Sequence, residues 1–95
     1  MTKSDLVNSI AEKTGLQKVE VLAVLEGFMH EVKGSVSEGE SVYLRGFGTF
    51  VAKKRAEKTG RIISKNTTII IPAHNFPAFK PSKKFVSKVK NNLKL

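Results

Sequence analysis

The sequence predicts an α+β fold. A helical hairpin opens the chain, an antiparallel sheet with a long protruding β-ribbon arm follows, a helix closes it, and two chains form an intertwined dimer. Three observations carry this reading. Apolar residues recur at three- and four-residue steps up to Val36 and again after Ser82. Between those stretches the pattern turns to β-branched and aromatic residues punctuated by glycine. The sign of the charge also reverses near residue 40. The 95 residues are expected to form one domain, with a helical dimerisation scaffold over 1–40, a sheet over 41–81 whose arm covers about 53–75, and a final helix over 82–95.

Thr2-Lys3-Ser4-Asp5 has the spacing of a capping box, a hydroxyl followed three residues later by an acid that can bond back to the first turn. Leu6, Val7, Ile10 and Ala11 follow on one face, and Gly15 suits the residue just past a helix end. Val21, Leu22, Leu25, Phe28, Met29, Val32 and Val36 mark a second, longer helix that ends near Gly39. An apolar stripe of this kind is core. A DNA-reading helix-turn-helix is disfavoured, because the second helix carries Glu20, Glu26, Glu31 and Glu38 against Lys18 and Lys33 and would be repelled by phosphate.

From Ser41 the run Val42–Ala52 reads as strand, with Gly46 and Gly48 marking a bulge, a tight turn or a close backbone approach. A second extended run, Thr67 to Ile71, stops at Pro72. Between them, residues 53–66 are strongly basic, and their apolar content is almost confined to Ile62 and Ile63. Two strands flanking such a segment make a hairpin whose outer part packs on nothing. Ser82 can cap the last helix, whose Phe85, Val86, Val89 and Leu93 share a face directed at the body. The face is narrow and lacks tryptophan, so docking on the protein is preferred to lying on a membrane.

Net charge is +9, unevenly spread. Residues 1–40 hold four lysines against seven acids; residues 41–95 hold 13 Lys and Arg against Glu57 alone. Such segregation points to a polyanion, nucleic acid ahead of an anionic membrane surface. The absence of cysteine removes disulfides, thiolate metal sites and cysteine nucleophiles. No signal peptide or membrane span is recognisable, so a cytoplasmic protein is expected.

Outside the arm about 70 residues remain, a size at which one core rarely contributes more than about 3–5 kcal/mol. Leu44, Phe47, Phe50, Phe76, Phe79 and Phe85 must be buried together with both helical stripes, and pairing two chains would bury the surplus. Catalysis is not expected. His30 and His74 share no metal-ligand spacing and adjoin no acid pair, and GFG at 46–48 is not a nucleotide-binding glycine motif. His30 reads as a helix-surface or interface residue, and His74 as a loop or strand-end residue able to meet phosphate. No cofactor, metal or small-molecule substrate is anticipated.

LRGFGTFVAKKRAEKTGR at 44–61 and IPAHNFPAFKPSKKF at 71–85 resemble the signature of the bacterial histone-like HU and integration host factor family, and the resemblance spans the chain. It implies a homodimer, or a heterodimer with a paralogue, whose two ribbon arms wrap double-stranded DNA, enter the minor groove and bend it in the nucleoid. By position it assigns Lys53, Arg55, Lys58, Arg61 and Lys65 to DNA contact from the arm, and Lys80, Lys83 and Lys84 from the body. Phe47, Phe50 and Phe79 fall at the core and dimer interface.

The chain departs from the family after Arg61. There the family reads Arg-Asn-Pro, with proline as the wedge between base pairs, and this chain reads Arg61-Ile62-Ile63. Ile63 stands at the proline position and is read as the wedge, whereas Ile62 is read as cross-strand support for the ribbon. Largely sequence-nonspecific bending is preferred to a sequence-selective mode like that of integration host factor. RNA binding is disfavoured because the aromatics are assigned to the core rather than to a stacking platform.

Overall fold

The computed structural model describes residues 1–62 and 67–94, the side chains of Arg61, Ile62 and Thr67 excepted. Two compact units divide it, Met1–Gly34 and Ser35–Leu95. Helix α1 spans Lys3–Thr14 and α2 spans Lys18–Ser37. The capping box forms as expected: the Thr2 N–H donates to Asp5 Oδ2 at 2.9 Å, and Thr2 Oγ1 accepts from the Asp5 N–H at 3.2 Å. Helix α1 stops where the Gly15 N–H donates to the Ala11 carbonyl at 2.9 Å. Paired bonds close α2, from the Gly39 N–H to the Val36 carbonyl (3.0 Å) and from the Glu40 N–H to the Ser35 carbonyl (3.0 Å). Val7, Ala11 and Val21 are buried, and Leu25 packs on them.

Hydrogen bonds from the Thr2 backbone and side chain hold the Asp5 carboxyl below its ordinary pKa. A hydrogen bond from Lys3, reinforced by its charge, does the same for Glu26. A lowered carboxylate pKa contributes stability that is complete above the unfolded-state value and is lost as pH falls through the folded value. Asp5→Asn should therefore melt lower than the parent at neutral pH and lose less on acidification. Thermal melts followed by helical circular dichroism check this; an unchanged gap between neutral and acid pH would contradict it.

In the second unit β1 (Val42–Leu44), β2 (Gly48–Arg55) and β5 (His74–Pro81) form an antiparallel sheet in the order β1-β2-β5. Strands β3 (Lys58–Ile62) and β4 (Thr67–Ile71) form a separate two-stranded ribbon. Two features differ from the expectation. Strands do not merely flank the basic segment 53–66 but run into it, since β2 continues to Arg55 and β3 takes up Lys58–Ile62. The extended chain also resumes at His74, two residues past Pro72, and continues through Pro77 to Pro81. Prolines are tolerated there because β5 is an edge strand whose only partner in this sheet is β2.

Strand alternation gives this sheet two faces. One carries Val42, Leu44, Phe50 and Phe79 around Gly48, and the other carries Tyr43, Thr49, Val51, Lys53 and Arg55 with Lys80, Ala78, Phe76 and His74. On the first face Phe79 centres an aromatic cluster, 4.9 Å from Phe50 and 5.1 Å from Phe47 between ring centroids. Phe85 of helix α3 (Lys83–Asn92) stacks on Phe47 at 5.4 Å. The last helix thus docks through Phe85 alone, whereas Val86, Val89 and Leu93, expected to share the docked face, are left exposed in the single chain.

Candidate nucleic-acid interface

The turn between β1 and β2 builds one end of the site. The Phe47 N–H donates to the Leu44 carbonyl at 2.9 Å, closing a four-residue turn in which Gly46 adopts φ +81°, a conformation that favours glycine. The Phe47 carbonyl then accepts from the Ser82 N–H at 2.9 Å, tying the turn to the start of α3. Ser82 Oγ in turn accepts from the Phe85 N–H at 3.2 Å, capping that helix as the sequence predicts. These bonds bring Arg45, Lys80, Lys83 and Lys84 around a depression of about 540 Å³ that Tyr43, Gly46, Gly48, Thr49 and Pro81 also line.

Along the same sheet face lie Lys53 and Arg55, both exposed. The Arg55 guanidinium sits over the Phe76 ring of the neighbouring strand, 4.5 Å from its centroid, which orients the charge without neutralising it. His74 opposes Arg55 at the start of β5, and its Nδ1 lies 3.1 Å from the Pro72 carbonyl oxygen. Among the described residues no carboxylate pairs with Arg45, Lys53, Arg55, Lys80, Lys83 or Lys84. This unpaired row can hold several phosphates.

The structure places the expected contact residues unevenly. Lys53, Arg55 and Lys80 share the basic face, and Lys83 and Lys84 border the depression at its end. Lys58 opens β3 opposite Ile71, and strand alternation sets it on the opposite side of the ribbon from Thr59. Arg61 occupies the backbone register position opposite Thr68. Ile63, the expected wedge, and Lys65 lie outside the described residues. Ile62 ends β3, paired through its backbone with Thr67. Phe47, Phe50 and Phe79 meet in one cluster, with Phe47 45% exposed in the single chain.

Sequence reading missed Tyr43, Arg45, Thr49 and Phe76 as neighbours of the site. A period-two count outward from Phe50 would have put Tyr43, Thr49 and the Arg55 row on the far side of the sheet. Nothing in the local sequence signals that the 44–47 turn meets the start of α3.

A three-stranded sheet followed by a two-stranded ribbon, with a face on which the charged residues are all basic and a capped helix at its foot, defines an architectural nucleic-acid-binding fold. A family model described as "Bacterial DNA-binding protein" matches residues 1–90, and the chain belongs to that family. It is 42% identical over 90 residues to a protein from Thermus thermophilus named DNA-binding protein HU, the match covering 95% of this chain and 93% of the relative. Among solved structures, a cocrystal of Anabaena HU with DNA is similar at a TM-score of 0.91 and 38% identity, over 95% of this chain and 98% of that one. HU from Thermotoga maritima is similar at a TM-score of 0.68 and 27% identity, over 95% and 100% of the two chains.

Proposed function

We propose that this chain acts as a dimer that binds double-stranded DNA through the minor groove and bends it, largely without regard to sequence, and so organises the nucleoid. The observation that carries the reading is the row Arg45, Lys53, Arg55, Lys80, Lys83 and Lys84, without carboxylate partners among the described residues, along the three-stranded sheet and the turn and helix start beside it. A phosphate backbone supplies the matching regular array of negative charge. The similar Anabaena protein was crystallised with DNA, which supports the same partner here. The role is architectural rather than catalytic and needs no cofactor. Among the described residues no helix is long and apolar enough to cross a membrane, and no three His, Cys, Asp or Glu side chains are grouped to hold a metal.

Dimerisation rests on the apolar surface that a single chain leaves open. Among the described residues only Val7, Ala11 and Val21 form a buried apolar core, while Leu6, Ile10, Leu22, Phe28 and Phe47 are each more than a third exposed. Burial of apolar surface contributes roughly 25 cal/mol per Å², so a second copy is the natural cover for this surplus. The unfolding midpoint should rise with protein concentration. A folded monomer at micromolar concentration in sedimentation would overturn the dimer.

Bending is assigned to the arm tip, with Ile63 as the wedge and Ile62 as ribbon support. Unstacking a base step costs on the order of a few kcal/mol, which the contacts made by bent DNA must offset. Ile63→Ala should thus bind and bend intact linear duplex less while retaining affinity for nicked or gapped DNA, where little unstacking is required. Ile62→Ala should bend nearly as the parent does. Energy transfer between dyes at the DNA ends reads the bend, and an unchanged bend with Ile63→Ala would refute the wedge.

A further inference from the structure

Among the described side chains on the Thr59 face of the β3-β4 ribbon, Ile70 is the one apolar residue. Arg55 pairs with His74 and, past a short interruption, Lys58 pairs with Ile71. The steps from Arg55 to Lys58 and from His74 to Ile71 are equal, so neither strand gains or loses a residue across the interruption. Within the ribbon Thr59 shares a face with Ile70 and Thr68, and by residue count these fall in step with Lys53, Arg55, His74 and Phe76. Gly60 gives an independent check on the far strand. A Cβ built on it would meet the side chains of Ile69 and Ile71, at 3.4 and 3.7 Å, and not that of Ile70. Ile69 and Ile71 thus lie over the glycine on one side, while Ile70, opposite Thr59, points to the other and is 66% exposed.

Threonine would serve the strand equally well at this position, since it shares isoleucine's branching. Exposed isoleucine beside Thr59 and Thr68 in a basic arm adds something cations lack, an apolar surface whose packing salt does not screen. In duplex DNA the partner of matching chemistry is the deoxyribose wall of the groove, which presents C–H surface between phosphates. We propose that Ile70 is a DNA-contacting residue that packs on the deoxyribose wall of the minor groove, giving the arm a non-ionic grip between the phosphate contacts of its basic neighbours. The proposal rests on the reading that this face binds duplex DNA.

Fluorescence anisotropy on a short linear duplex over a salt series tests it, using the full-length dimer and comparing Ile70→Ala, Ile70→Thr and Arg55→Ala with the parent. Removing most of a buried apolar side chain should weaken Ile70→Ala roughly five- to tenfold at every salt concentration. Its plot of log affinity against log salt should run parallel to the parent's. Ile70→Thr should keep the strand and bind similarly weakly. Arg55→Ala should instead flatten the plot, by about 0.9 for each phosphate that is no longer neutralised. Parent-like binding by both Ile70 variants, with Arg55→Ala weakened, would overturn the proposal and leave the DNA-binding face standing. Unchanged binding by all three would overturn the face itself. A changed slope for Ile70→Ala, or a dimer that dissociates in sedimentation, would show that Ile70 acts by placing cations or joining protomers, and would likewise overturn it.

Discussion

Gly48→Ala should unfold or severely destabilise the sheet unit. A Cβ on Gly48 would stand 2.5 Å from Cζ of Phe79 and 2.6 Å from the Lys80 carbonyl oxygen. The ring has little room to yield, because Phe79 is already packed against Phe47 and Phe50. The carbonyl belongs to a strand paired directly with Gly48 through Pro81, so moving it breaks the ladder. Overpacking typically costs about 1–3 kcal/mol, and a backbone clash belongs at or above the upper end. Denaturant unfolding followed by circular dichroism measures the effect. Adding Phe79→Ala should not restore stability: it relieves the ring clash, leaves the carbonyl clash, and itself costs about 3–5 kcal/mol if the dimer buries the ring fully. Parent-like stability in Gly48→Ala would mean that the strands separate there without cost and that this part of the sheet is not tightly paired.

The second large effect is on affinity. A dimer with six aligned cations per chain on its described face can neutralise on the order of six to ten phosphates. Each would contribute about −0.9 to the slope of log affinity against log salt. Binding should then weaken roughly 1,000-fold or more between about 50 and 200 mM salt. Lys80→Gln and Lys83→Gln should flatten the slope and lower affinity on all duplex sequences alike, because phosphate contacts carry no sequence information. Anisotropy titrations on two unrelated duplexes provide both readings. A flat salt response would remove electrostatic wrapping as the mode of binding.

The arm is where reading from sequence was least complete. Residues 53–66 look like a solvated loop because Lys, Arg, Thr and Gly dominate and no apolar alternation marks strands. Alternation betrays a strand only when one of its faces is buried, and Thr59, Thr68, Ile69 and Ile70 are all exposed. The same absence hid the Ile70 face, since three consecutive isoleucines show no period. Pro77 and Pro81 hid β5 for a different reason: proline argues against a central strand, and edge position is a property of the sheet, invisible in the segment.

Local chemistry determined the rest. Thr2 with Asp5, Gly15, Gly39 and Ser82 set the helix limits through bonds that reach only a few residues along the chain, so the sequence alone specified them. The sign change near residue 40 likewise separated an acidic scaffold from a basic surface before any fold was known. Which cations meet was decided only in three dimensions. Arg45 and Lys80 are far apart in sequence, and they converge because the Phe47 carbonyl accepts the Ser82 N–H while β2 pairs with β5. Lys58 and Thr59 are neighbours in the sequence, yet strand register sets them on opposite sides of the ribbon, since each step of one residue turns a side chain to the other face.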